Sequence, residues 1–331
     1  MERFALAAAV VLGFALTAAL CSLFVPLRRV LERREQQQQP VQSEKPRPAP
    51  LRAPLWGGLC AAAGTVAAVG VGWLAACVGQ PELLGSEGRL MTRLLTALAG
   101  SLAFGAVGLA EDLARMRSPA ALGLRREVRL LLEALAAAFV LLLLRAAGCL
   151  PRGLGVPGAG YVLLGSAVPF LWAVLMVALA ECARIAERDE GAVCGAAFVA
   201  MLALMMVEAG LGVSGLAVLP GALAGALVAL GLWAFPPARL GAGCCGSLLA
   251  AGAIGCIPLS LDMTSLTVPL ALPFWAAGGL LAAQLLCAKR TGKPLRCWVK
   301  KHKMSPETVF LCSFALSAVG YVLALALLRW C

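Results

Sequence analysis

Apolar runs of about twenty residues, the length at which a helix crosses a bilayer core, recur along the whole chain. Ten can be drawn, over 3–27, 56–78, 90–110, 128–147, 165–183, 191–212, 214–234, 247–263, 266–288 and 308–328. In hydrocarbon every backbone N–H and C=O must be satisfied within its own segment, so runs of this kind fold as helices. The expectation is an all-α, polytopic membrane protein that forms a single transmembrane domain over 1–331. Composition agrees. Hydrophobic residues make up 61% of the chain and charged residues 14%, whereas soluble domains carry about a quarter charged residues. An ordinary soluble globule and a disordered chain are both excluded.

The net charge of +11 has to be read by location, because Lys and Arg concentrate in cytoplasmic connections. Ten spans put both termini on one side and leave five connections on the other: 28–55, 111–127, 184–190, 235–246 and 289–307. With the second extended to Arg129, these five hold 22 of the 28 Lys and Arg residues. The asymmetry predicts that the five connections are cytoplasmic and both termini outside. It also makes nucleic acid a poor explanation for the charge. The expected location is the plasma membrane, as a multi-pass protein.

The first apolar run is longer than a secretory signal and no small-residue cleavage site follows it, so it reads as a retained helix. The connection 28–55 carries Glu35-Gln-Gln-Gln-Gln-Pro40 and the Pro-rich Lys45–Pro54, and reads as an extended or disordered cytoplasmic linker. Arg28, Arg29, Arg33 and Arg34 at its start suit anionic lipid headgroups. The loop 289–307 is the second strongly basic one. Thirteen cysteines contain no CxxC pair, and most lie in apolar runs where Cys acts as a small hydrophobe. The Gly-, Ala- and Ser-rich stretch Gly221–Gly231 suits close helix packing. Paired charges deep within spans are scarce, which disfavours a transporter.

Charges instead gather at the basic ends of helices. Glu111-Asp112 closes the third span, Glu181 nears the end of the fifth, and Arg184, Glu187, Arg188, Asp189 and Glu190 follow it. Carboxylates beside many Arg and Lys suit a site for a cation and phosphates; solvated helix ends are the plain alternative. Glu133 and Arg145 lie near the ends of the fourth span, where they can snorkel.

Five landmarks occur in order. Ala53-Pro-Leu-Trp-Gly-Gly58 ends the first basic connection. Gly108-Leu-Ala-Glu-Asp112 opens the second and leads to Gly123-Leu-Arg-Arg-Glu-Val-Arg129. The third holds Glu181-Cys-Ala-Arg-Ile-Ala-Glu-Arg-Asp-Glu-Gly191. The fourth is Pro237-Ala-Arg-Leu-Gly-Ala-Gly-Cys-Cys-Gly-Ser-Leu248. The last is Trp298-Val-Lys-Lys-His302-Lys-Met-Ser-Pro-Glu307, which contains the single His. Through these the chain resembles the polyprenyl-phosphate phosphoglycosyltransferases (glycosyltransferase family 4), and within them the phospho-N-acetylmuramoyl-pentapeptide transferases. The resemblance implies ten spans with both termini outside. It also implies transfer of a phospho-sugar from a UDP-sugar to polyprenyl phosphate in peptidoglycan-type lipid-intermediate synthesis, with release of UMP. By position, Glu111 and Asp112 would be catalytic, at the lipid phosphate or metal, with Asp112 as base. Glu187 and Glu190 would bind donor or metal, and Arg129 and His302 would neutralise phosphate. The implied cofactor is Mg²⁺, the implied partners are the two substrates and membrane lipid, and a homodimer is compatible with the family.

The departures are specific. The chain contains no asparagine, and Glu181, Arg184 and Ala234 stand where the family has its motif asparagines. Glu replaces Asp at Glu111, Glu187 and Glu190. The fourth-loop carboxylate, a magnesium ligand in the family, falls on Cys244, a soft thiol poorly suited to Mg²⁺. The alternative reading is therefore a catalytically impaired relative that binds lipid intermediates or acts as a membrane scaffold.

Overall fold

Ala, Leu, Val and Gly dominate each apolar run, and in a helix of small residues the backbones can approach closely. The computed structural model describes residues 2–38, 56–79, 88–117, 123–151, 153–156, 160–163, 165, 167–187, 191–213, 215–235, 239–291 and 306–330. The long helices are α1 (Glu2–Gln38), α2 (Gly57–Gly79), α3 (Gly88–Arg117), α4 (Arg126–Ala146), α5 (Ala167–Ala186), α6 (Ala192–Gly210), α7 (Val218–Ala234) and α8 (Gly243–Ser260). After a 3₁₀ turn, Thr264–Leu266, come α9 (Thr267–Leu270), α10 (Leu272–Thr291) and α11 (Pro306–Trp330).

The protein is an all-α polytopic membrane protein, with a helix at the place of each of the ten expected spans. Among the described residues, seven helices are long and apolar enough to cross a membrane, or eight if a bent pair forms one span. The two exceptions have visible reasons: α4 carries Arg129 and Glu133, and α7 is only 17 residues long. The bent pair falls in the ninth expected span, where a continuous helix was anticipated. Thr264–Leu270 and Leu272–Ala283 meet at 63°. Pro273, at the second residue of α10, has no N–H to give to the turn before it, so the helix starts afresh. At the chain's start, α1 runs on through Arg28–Arg34 to Gln38, so part of the expected linker is helical; Pro40 lies two residues on.

Helix α8 is the axis of the bundle, and every one of its residues is buried. Helices α2, α3, α5 and α6 surround it. It is apolar on all faces, as a helix without a lipid or water face must be. Its seam with α3 is antiparallel and made by small residues. A side chain at Gly108 would run into the Cys244 carbonyl, and one at Gly252 would come within 3.1 Å of the Ser101 Cα. The α1–α2 pair has a fixed antiparallel register. Thr17 sits over Gly64, Ala9 over Gly72, and Phe24 stacks on Trp56 with ring centroids 5.8 Å apart. The register brings the buried Cys21 opposite the buried Cys60. Gly221 and Gly225 let α7 lie against α1, a Cβ at Gly225 meeting the Val10 carbonyl.

Residues flanking all five basic connections meet at one end of this bundle. Gly57 and Gly58 lie against Gly241, Ala242 and Gly246, Asp112 reaches Cys244, Gly191 lies beside Ala234, and Phe235 meets Phe310 edge-on. At the opposite end a hairpin stands where no strand was expected. Strand β1 (Gly153–Val156) pairs antiparallel with β2 (Gly160–Leu163). Strands of four residues give too short a pattern to read from sequence. Tyr161 on β2 donates its hydroxyl to Asp262 Oδ2 at 2.9 Å.

Candidate functional site

The first amides of a helix lack intrahelical partners and are met by a capping side chain or by something from outside. Helix α8 opens on Gly243 after Ala242, and neither can cap with a side chain. The cap comes from α3. Asp112 Oδ1 accepts from the Cys244 N–H at 3.1 Å and Oδ2 from the Cys245 N–H at 2.9 Å. Both oxygens of this buried carboxylate thus lie on the positive end of the α8 dipole. Gly108, one turn earlier, is what lets α3 come close enough.

Around this cap, charged side chains from three helix ends pair with one another. Arg115 NH2 donates to Glu111 Oε1 at 2.7 Å, as the i, i+4 spacing allows, and its NH1 lies 4.0 Å from Asp112 and 3.8 Å from Glu187. From α4, Arg129 donates through Nε to Glu181 Oε1 at 2.7 Å and places NH1 3.6 Å from Glu111. Arg184 holds the other Glu181 oxygen at 2.6 Å. The chain Arg184–Glu181–Arg129–Glu111–Arg115–Glu187 is continuous across α3, α4 and α5. Two turns keep the segments in place. Gly123, at φ 69, lies against Glu111 and Arg115, and Gly191, at φ 75, starts α6 beside Ala234. Such angles suit glycine and few other residues.

Of the residues anticipated from sequence, Glu111, Asp112, Arg129, Glu187 and Cys244 are brought together at one bundle end. Glu190 and His302 lie outside the described residues. Arg115 and Glu133 were not anticipated, although the Glu111/Arg115 and Arg129/Glu133 spacings were there to read. Glu133 does not snorkel. It is fully buried, and among the described residues neither of its oxygens has a hydrogen-bond partner; the same holds for Glu111 Oε2 and Arg184 Nε. Arg145 is exposed, as a snorkelling residue would be. Glu208 is buried in α6, its Oε2 without a partner among the described residues.

This donor set does not fit a resident hard cation. Asp112 has both oxygens committed to backbone N–H groups, Glu111 Oε1 and Glu187 face guanidinium groups, and Cys244 offers sulfur. Among the described residues no three Asp, Glu, His or Cys side chains are placed to hold a metal ion.

No curated protein matches the chain. A family model does, that of glycosyl transferase family 4, over residues 94–262. That stretch runs from within α3 to the end of α8 and so contains every residue of the charge network and the helix end that Asp112 caps. Half of the chain lies in the match, and by it this protein belongs to glycosyl transferase family 4.

Proposed function

We propose that this protein is a slow phosphoglycosyltransferase of the cell envelope, moving a phospho-sugar from a UDP-sugar to polyprenyl phosphate in peptidoglycan-type lipid-intermediate synthesis. Family membership supports phospho-sugar transfer to a polyprenyl phosphate in general. The observation that carries the reading is the meeting of Glu111, Asp112, Glu187 and Cys244, from three distant segments, at the bundle end where described residues flanking the basic connections lie. Positive-inside charge makes that end cytoplasmic, facing the UDP-sugar, while the lipid phosphate arrives from the bilayer. Asp112 is placed to act on the lipid phosphate, Glu111 lies beside it, and Glu187 with Glu190 serves the donor. Arg129 and His302 take phosphate charge. In the paired state Arg129 belongs to Glu181 and Glu111, so a phosphate must displace a carboxylate to reach it.

A second reading is favoured by one feature. Asp112 is committed to the α8 N-terminus, and the local carboxylates Glu111, Asp112, Glu133, Glu181 and Glu187 outnumber the guanidinium groups of Arg115, Arg129 and Arg184. Among the described residues, the three guanidinium groups are thus already paired to carboxylates and offer an anionic substrate little free positive charge. In that reading the chain binds lipid intermediates or scaffolds other envelope proteins, without transfer.

A UMP-release assay separates the two. Purified protein in detergent receives polyprenyl phosphate, several UDP-sugars and Mg²⁺ or Mn²⁺. We expect slow UMP release that is lost in Asp112→Asn. Cys244→Asp gives at most a small gain, because the asparagines are still missing and three Glu still stand for Asp. No release with any donor, while polyprenyl phosphate still binds, establishes the second reading. Robust Mg²⁺-dependent release from the unaltered chain shows that the thiol at Cys244 matters little. Binding of neither substrate removes both readings.

A further inference from the structure

Glu111, Asp112 and Glu187 bring three carboxylates to one end of the bundle. Carboxylates this close repel one another, and at phosphoryl-transfer sites a divalent cation commonly offsets them. Here the offsetting charge is a side chain. Arg115 reaches back along α3 from one turn beyond Glu111. Its NH2 donates to Glu111 Oε1 at 2.7 Å, and its NH1 stands 4.0 Å from Asp112 Oδ1 and 3.8 Å from Glu187 Oε2. One guanidinium therefore faces all three acids.

The arginine is kept in that position. Gly123, with its left-handed backbone at φ 69, brings the chain over the side chain, and a Cβ there would come 3.1 Å from Arg115 Cγ and 3.3 Å from Nε. Only 22% of the Arg115 side chain is exposed. A metal ion among the same carboxylates would set a second positive charge beside the guanidinium, with little water between to screen the repulsion. Oxygen ligands are also short. Asp112 gives both oxygens to the Cys244 and Cys245 N–H groups, and Cys244 itself offers sulfur. A guanidinium needs no such ligand set; it stays charged and carries several donors in one plane.

We propose that Arg115 is the built-in cation of this site, a positioning residue that holds Glu111, Asp112 and Glu187 together in place of a divalent metal ion. The inference rests on the reading of this bundle end as the transfer site, but metal binding tests it without turnover. Removing the arginine charge should create a metal site that the unaltered chain lacks. Glu187 Oε2 and both Glu111 oxygens, of which Oε2 has no hydrogen-bond partner among the described residues, would then be open to a cation that keeps water in its other positions.

The purified full chain in detergent is titrated with Mn²⁺, a stand-in for Mg²⁺, and loss of the free-ion signal is followed by electron paramagnetic resonance. The unaltered chain and Arg115→Lys should show no binding that Glu187→Gln removes. Arg115→Gln should gain a single Mn²⁺ site, at least about tenfold tighter than any binding by the unaltered chain. Mg²⁺ should compete for that site, and Glu187→Gln added to Arg115→Gln should remove it. An arginine with a merely structural role would cost stability when replaced but bring no such gain. Mn²⁺ binding by the unaltered chain that Glu187→Gln abolishes overturns the proposal, and that comparison holds even if Arg115→Gln does not fold. A folded Arg115→Gln that binds no more Mn²⁺ than the unaltered chain also overturns it, as does a gained site that survives Glu187→Gln. Failure of the transfer reading is seen separately, in the absence of UMP release.

Discussion

Glu181, near the end of α5, is one side chain that organises two of its neighbours. It takes Arg129 at 2.7 Å and Arg184 at 2.6 Å, turning two potential phosphate ligands into partners of an internal anion. A mostly buried pair of this kind adds little net stability, but breaking one side leaves a stranded charge. Arg129→Met should therefore lower unfolding stability by about 3–5 kcal/mol. The double change Arg129→Met with Glu181→Met should recover part of that loss, since Arg184 then gives up its partner as well. Thermal unfolding of both variants in detergent is the measurement, and a double variant no more stable than the single one would mean that the two residues do not act as a pair. Asp112 shows the same principle with a backbone partner. Its carboxylate replaces the cap that Ala242 and Gly243 cannot supply, so a residue assigned to chemistry also holds α8 in place.

At the scale of elements, the site depends on how closely α3 approaches α8. Gly108 is the contact nearest the site, its missing side chain making room for the Cys244 carbonyl. Gly108→Val must push the helices apart and lengthen both hydrogen bonds from Asp112. We expect a loss above about 3 kcal/mol, in the range of overpacked cores combined with a lost cap. Gly70 of α2 provides the control, because a Cβ there meets nothing within 4 Å. Gly70→Ala should raise stability by about 0.5–1 kcal/mol through helix propensity alone. Unfolding midpoints of the two variants should move in opposite directions; a shared direction would show that the α3–α8 seam is not what makes glycine necessary.

For the whole molecule, the distribution of basic residues gives the orientation. With the five basic connections inside and both termini outside, as that distribution predicts, Cys297 should react with a membrane-impermeant maleimide only after the inner face is opened. Cys331 should react in intact cells. Labelling of Cys297 from outside intact cells would invert the orientation and turn the charge network away from any cytoplasmic donor. The bundle itself fits this sidedness, since the residues next to all five basic connections converge at one end.

The apolar runs alone determined that the chain is a helical bundle in a membrane, because hydrocarbon leaves the backbone no alternative. The motif order placed Glu111, Asp112, Arg129, Glu187 and Cys244 at successive connections, and the fold brings these five to one end of the bundle. Their pairing was not legible. That Asp112 caps α8, that Glu181 claims Arg129 and Arg184, and that Glu133 is buried without a partner depend on distances between helices that no sequence spacing encodes. Helix ends were blurred for a related reason. The spans were bounded by hydropathy, but α1 and α3 continue past the apolar stretch, where i, i+4 charge pairs such as Glu111–Arg115 support the helix. The hairpin was hidden altogether, since strands of four residues carry no readable period. That Tyr161 of the hairpin reaches Asp262 became visible only in the fold, because the two lie 101 residues apart and no local spacing joins them.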